Sequence, residues 1–133
     1  MGTASLDELN WLNRFVTETP GDNEVGGKPR QVPHVCWSRV HPTAVPEPIL
    51  RLWSDEMAQE LNLVKGGGDI LGGNVITKGM DPYAQRYGGH QFGNWANQLG
   101  DGRAITLGEV ATEKEPLEIA TERTRYYAIL KVR

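Results

Sequence analysis

The residues best suited to chemistry lie between Tyr87 and Val110, in "YGGHQFGNWANQLGDGRAITLGEV". This stretch carries six glycines and one histidine, and it sets Gly100-Asp101-Gly102-Arg103 directly before an apolar, strand-like run. Two readings fit these residues. In the first, glycines let the backbone approach phosphate oxygens and turn N–H groups toward them. Arg103 then adds a forked, charge-assisted donor. In the second, Asp-Gly is a plain hairpin turn that needs only positive φ. A dinucleotide-binding glycine fingerprint would open a helix, not a strand. A Walker A loop needs Gly-Lys-Ser/Thr, which the stretch lacks. The remaining phosphate-binding form is a glycine clasp between two antiparallel strands, as over the phosphates in kinases. His90 also reads as a loop hydrogen bonder, and Phe92 and Trp95 as core aromatics.

The elements that would position this stretch are short. Ser5 and Glu8 form a capping box that starts a helix with Leu6, Leu9, Trp11, Leu12, Phe15 and Val16 on its apolar face. Pro20-Gly21-Asp22 ends it, and residues 20–30 read as a turn or exposed linker. Four prolines between residues 33 and 48 exclude a long central strand there, which leaves an irregular segment with at most one edge strand. Leu50, Trp53, Met57 and Leu61 recur at helical spacing, with Ser54 as the N-cap. "KGGGDILGG", residues 65–73, breaks that helix. Pro82–Tyr87 reads as a polar helical turn. "RAITLGEV" reads as a strand, "ATEKEP" as a turn, and "LEIATERTRYYAILKVR" as two strands or one helix. The strand near Ala104–Val110 is expected to pair with one near Phe92–Leu99, with Gly100–Gly102 at their turn.

Length and composition bound the rest. The chain has 133 residues, room for one modest domain. Fourteen basic and 17 acidic residues give a net charge of −3, without the basic surplus of a nucleic-acid binder. Cys36 is the only cysteine, so neither an internal disulfide nor a cysteine zinc site is available. His34, His41 and His90 are too scattered in sequence for metal-ligand spacing. No secretory leader, Arg-rich transit segment or membrane-length apolar run is visible. The expectation is a cytoplasmic protein, with a mitochondrial location the alternative in a eukaryote.

The long motif "YAQRYGGHQFGNWANQLGDGRAITLGE" resembles the signature of the selenoprotein O family, also called the YdiU family. "PGD", "SRVHPTAVPEPILRLWSDEMAQELNL" and "DPYAQRYGGHQFG" are similar to the same family in the same order, over roughly residues 8–110. The resemblance implies the N-terminal part of a protein-kinase-like pseudokinase, an α+β arrangement of helices and irregular segments beside a small antiparallel sheet. It implies an ATP-dependent adenylyltransferase that passes AMP to Ser, Thr or Tyr hydroxyls of protein substrates, with Mg or Mn as the metal. Gly100, Gly102 and Arg103 match family positions at the ATP phosphates. The resemblance carries no role for His90 or Gln91.

The tail departs from the family pattern. The family lysine falls by spacing near Arg123, a poor substitute, and Lys131 in "YAILK" is a late second candidate. The family's catalytic base and metal ligands lie downstream of this segment. The expected organisation is an N-terminal helix and linker (1–30), a nucleotide-loop region (31–110) and a divergent, truncated tail (111–133). Such a piece is expected to be inactive alone. A non-catalytic nucleotide- or partner-binding module is the alternative.

Overall fold

The computed structural model describes residues 2–26, 30–99, 104–122, 128–129 and 131–132. Its strands are β1 (Gly21–Asp22), β2 (Trp37–Arg39), β3 (Leu50–Leu52), β4 (Tyr83–Gln85), β5 (Tyr87–Gln91), β6 (Asn94–Leu99), β7 (Ala104–Val110), β8 (Leu117–Glu122), β9 (Ala128–Ile129) and β10 (Lys131–Val132). Its helices are a 3-10 turn at Leu6–Glu8 and the short α1 (Arg14–Glu18), α2 (Asp55–Glu60) and α3 (Gly68–Leu71). The fold is therefore mixed α+β, with few helices and a small, mostly antiparallel sheet. Six strands run in the order β1-β2-β4-β7-β8-β10, and only β1 and β2 pair in parallel. β3 with β9 and β5 with β6 form separate two-stranded ribbons.

Two apolar clusters flank the main sheet. Tyr83 and Thr106 are registered partners on β4 and β7. Tyr83 packs with Val16 and Trp37, and Phe15 stacks on its ring at 5.5 Å. Leu107, one residue on from Thr106 and so on the opposite face, joins Leu6, Leu61, Leu63, Leu71, Val110 and Ile119. β7 is thus buried on both sides, as its apolar run requires. The four tryptophans do not share one core: Trp37 belongs to the Tyr83 cluster, Trp11 and Trp53 border the other, and Trp95 is 65% exposed.

Several local readings hold. Ser54 caps α2, its Oγ accepting from the Met57 N–H at 3.1 Å. The "ATEKEP" turn is built on Thr112, whose Oγ1 accepts from the N–H groups of Lys114 and Glu115. β8 follows this turn as a strand antiparallel to β7.

Others need correction. The single helix expected after Ser5 is split. Glu8 does close the capping box, accepting from the Ser5 N–H at 2.8 Å. Residues 10–13 then leave the helical path to join the end of β7. Trp11 bridges Val110, the Leu12 N–H donates to the Glu109 carbonyl at 2.7 Å, and the Ala111 N–H donates to the Asn10 carbonyl at 2.8 Å. These strand-type bonds outweigh a helical propensity worth only fractions of a kcal/mol per residue. β2 is no edge strand but lies between β1 and β4. It is three residues long and ends short of the flanking prolines, so none removes a ladder bond. Pro82–Tyr87 is not helical: Tyr83–Gln85 is drawn into the sheet between β2 and β7. The glycine-rich stretch after α2 contains a four-residue helix, α3, which buries Leu71 completely.

Candidate functional site

The residues expected at the phosphates, Gly100, Gly102 and Arg103, lie outside the described residues, as does Asp101. The strands on either side are described. β6 delivers the chain to residue 100, and β7 receives it at residue 104 inside the main sheet.

The expected β6–β7 hairpin is not formed. β6 pairs antiparallel with β5, and β7 has β4 and β8 as its neighbours. The cause is local. Phe92 and Gly93 form a two-residue turn with φ of 50° and 77°, the positive-φ pair that matches hairpin twist. This short closure brings β6 back onto β5 before residue 100 is reached. Asn97, at φ 62°, lies where the register shifts between Gly88 and His90. A Cβ at Gly88 would sit 2.4 Å from the tip of the Trp95 ring, so a larger residue there would have to displace that exposed indole. His90 is the registered partner of Trp95 and is exposed. Phe92, at 92% exposure, and Trp95 are not the core residues their type suggested.

Every described side chain of β6 but one is exposed. The exception is Gln98, two positions before Gly100. Its Oε1 accepts from the Val32 N–H at 2.7 Å and from Arg86 Nη1 at 3.1 Å. Its Nε2 donates to the Val32 carbonyl at 2.8 Å. Gln31 grips the same residue by its backbone: the Gln98 N–H donates to Gln31 Oε1 at 2.9 Å, and Gln31 Nε2 donates to the Gln98 carbonyl at 3.2 Å. Arg86 is held in turn by Ser38 Oγ and by Asp22, whose carboxylate lies 3.8 Å from Nη2. Arg30 also pairs with Asp22 and reaches Glu24 at 3.1 Å. The Arg86 side chain is only 10% exposed. Its charge is therefore matched by a carboxylate and by fixed acceptors, as a buried cation requires. Sequence reasoning missed this cluster, because Gln31 and Gln98 meet across 67 residues and the motif that contains Gln98 does not point to Gln31.

On β7 a second polar group lies near the loop's exit. Thr106 Oγ1 donates to the Glu118 carboxylate, and Gln85 Nε2 approaches its other oxygen at 3.5 Å. Burial, and then the Glu118 charge, push the Tyr83 hydroxyl up to about 12, against hydrogen bonds with Thr106 and Gln85 that lower it. Among the described residues, no three His, Cys, Asp or Glu side chains are grouped to hold a metal ion. The metal that the resemblance implies therefore has no fitted donor set among them, and no step is assigned to it. Among the same residues, no helix is long and apolar enough to cross a membrane.

The sequence pattern of protein adenylyltransferase SelO matches residues 28–121. The chain is 51% identical over 112 residues to the protein nucleotidyltransferase YdiU of Methylobacillus flagellatus, a match covering 80% of this chain and 22% of that protein. It is 48% identical over 116 residues to the protein of the same name from Nitrosospira multiformis, covering 83% and 20%. It is 45% identical over 132 residues to that from Xanthomonas axonopodis pv. citri, covering 95% and 24%. The chain thus spans about a fifth to a quarter of the length of the curated relatives it matches.

Proposed function

The chain belongs to the protein adenylyltransferase SelO family, and from that premise we propose that it carries the part of a nucleotidyltransferase that holds the phosphates of ATP. Gly100, Gly102 and Arg103 are the contacting residues, and the fold around them is the start of a kinase-like lobe. The whole enzyme moves AMP from ATP to Ser, Thr or Tyr hydroxyls of protein substrates, and its Mg or Mn is held by residues outside this chain. The observation that carries the reading is the family match, whose span of residues 28–121 includes residues 100–103. The anchored end of β6 and the buried β7 support it, because a phosphate loop needs fixed ends.

The chain's own part is electrostatic. Backbone N–H groups and one guanidinium meet phosphate oxygens without covalent chemistry. Hydrogen bonds to charged groups contribute about 1.5–3 kcal/mol each, against an association cost of about 4–15 kcal/mol. The 133-residue chain alone should therefore bind ATP with a Kd on the order of millimolar, and should transfer no AMP. The test is an ATP titration of the isotope-labelled chain followed by NMR. Arg103→Ala should raise Kd by about ten-fold or more, from the loss of one charge-assisted bond. Gly102→Val should weaken binding further, since a β-branched side chain opposes positive φ and crowds the phosphates. Micromolar binding by the unaltered chain, or an unchanged Kd for Arg103→Ala, would return "LGDGRA" to being a turn.

A further inference from the structure

We propose that Gln31 is a plug on the outer edge of β6, and that the edge it closes pairs with the same edge of a second copy of this chain when the plug is removed. This pairing uses only the β5–β6 ribbon and the segment that grips it, and is independent of the phosphate reading above.

An unpaired strand edge is a template for another strand, and proteins blunt it with charge, proline, a bulge or a covering segment. The β5–β6 ribbon is separate from the main sheet, and between Tyr87 and Leu99 it has no Asp, Glu, Lys, Arg or Pro. Tyr87, Phe92, Trp95 and Leu99 are exposed, Phe92 and Trp95 most of all. What defends the edge is the register shift between Gly88 and His90, and a cover. The cover is Gln31. Gln98 is registered opposite Gly88, yet its N–H and carbonyl bond to the Gln31 amide, so both point away from β5. Gln31 thus makes the pair of bonds that a neighbouring strand would make. Gln98 returns the same pair: its side-chain amide accepts from the Val32 N–H and donates to the Val32 carbonyl. Arg86 Nη1 also donates to Gln98 Oε1. A guanidinium has no acceptor, so it fixes which way that amide points. The occupant of the opened edge follows from the charge pattern. A strand that meets its own copy sets like side chains near one another, and like charges there are destabilising. β6 carries none. A two-fold arrangement joins two ribbons, each marginal in water alone, into one antiparallel sheet, and covers apolar side chains that water now touches.

The test is the solution mass of the 133-residue chain, by sedimentation from micromolar to millimolar concentration, together with amide hydrogen exchange at Gln98. The natural chain should stay monomeric, with its Gln98 N–H protected. Gln31→Ala removes the plug at an exposed position and should give a dimer as concentration rises. Its Gln98 N–H should exchange about ten-fold faster when dilute, the effect of one lost hydrogen bond. In the dimer that N–H should regain protection, because a carbonyl of the copy takes the place of Gln31. Gln98→Met, which releases Val32, should shift the mass in the same direction. Adding Trp95→Lys to Gln31→Ala sets like charges on the paired edges and should restore the monomer. The amide signals of Leu107 and Val110 should stay in place in every variant. If they move, association comes from a disturbed main sheet and the proposal falls. It falls as well if Gln31→Ala and Gln98→Met both stay monomeric at millimolar concentration. A dimer that leaves Gln98 unprotected, or that survives Trp95→Lys, makes its contact elsewhere and overturns the pairing. A natural chain that already dimerises through β6 would show that Gln31 is no plug.

Discussion

Raising the pH from about 9 to about 12 should destabilise the chain through one named hydroxyl. Tyr83 is 2% exposed and sits between β2 and β7. Its pKa is raised from 10.0 to about 12, chiefly by burial and next by the Glu118 carboxylate. The folded state therefore holds this proton more tightly than the unfolded state does. The contribution is fully present below the unfolded value of about 10, and it is lost as pH climbs through the folded value of about 12. A difference of about two units at about 1.36 kcal/mol each gives a loss of about 2–3 kcal/mol across that window. Lysines and the other tyrosines also titrate there, so the measurement is a difference. Urea unfolding of the natural chain and of Tyr83→Phe should be followed at several pH values from about 9 to about 12. The natural chain should lose about 2–3 kcal/mol more than the variant. Parallel loss in the two would mean that Tyr83 ionises without penalty, and that the polar layer of Thr106, Gln85 and Glu118 is open to water.

Further substitutions test the packing around β7 and α2. A Cβ at Gly108 would lie 2.5 Å from Trp11 Cε3 and 2.8 Å from Asn13 Oδ1, so Gly108→Val should cost about 1–3 kcal/mol by overpacking, read as a lower urea midpoint. Asn13 sits at φ 51° and makes two cross-chain bonds, to the Gly79 carbonyl at 2.8 Å and from the Glu109 N–H at 3.0 Å. Asn13→Ala should therefore destabilise more than Asn13→Gly, which loses the same bonds but tolerates the backbone; thermal melts of the two should rank in that order. Ser54→Ala should cost about 1 kcal/mol through the lost cap of α2, visible as a matching shift in the unfolding curve.

What could be read from the sequence was whatever a few neighbouring residues decide. Ser54 announces α2 because a cap acts over three residues. β7 is legible because its apolar run needs cover on both faces, whatever provides it. The partner of β6 was misjudged because Gly100–Gly102 looked like the better turn, yet Phe92-Gly93 closes first. The Trp11 segment was misread for a different reason: its helical spacing is real, but Glu109 and Val110 offer it strand bonds from nearly a hundred residues away. Gln98 and Arg86 lie inside the family motif, but nothing local to them points to Gln31 and Val32 as partners. Glutamines are ordinary surface residues, and only the fold brings Gln31, Arg86 and Gln98 together. The family motif points to Gly100, Gly102 and Arg103 without saying what holds them in place.

The bridge between Trp11 and Val110 also sets an order of events during synthesis. Residues 10–13 have their strand partners 96 to 101 positions later. At about 5–20 residues per second on the ribosome, the N-terminal segment waits several seconds without it. The β5–β6 ribbon has no such delay, since a local hairpin closes in about 1–10 μs. The Trp11 segment is therefore made well before the partner that places it. Until β7 arrives, Trp11 and the apolar residues around it have no core to enter, and that interval is when the newborn chain is most exposed to misassociation.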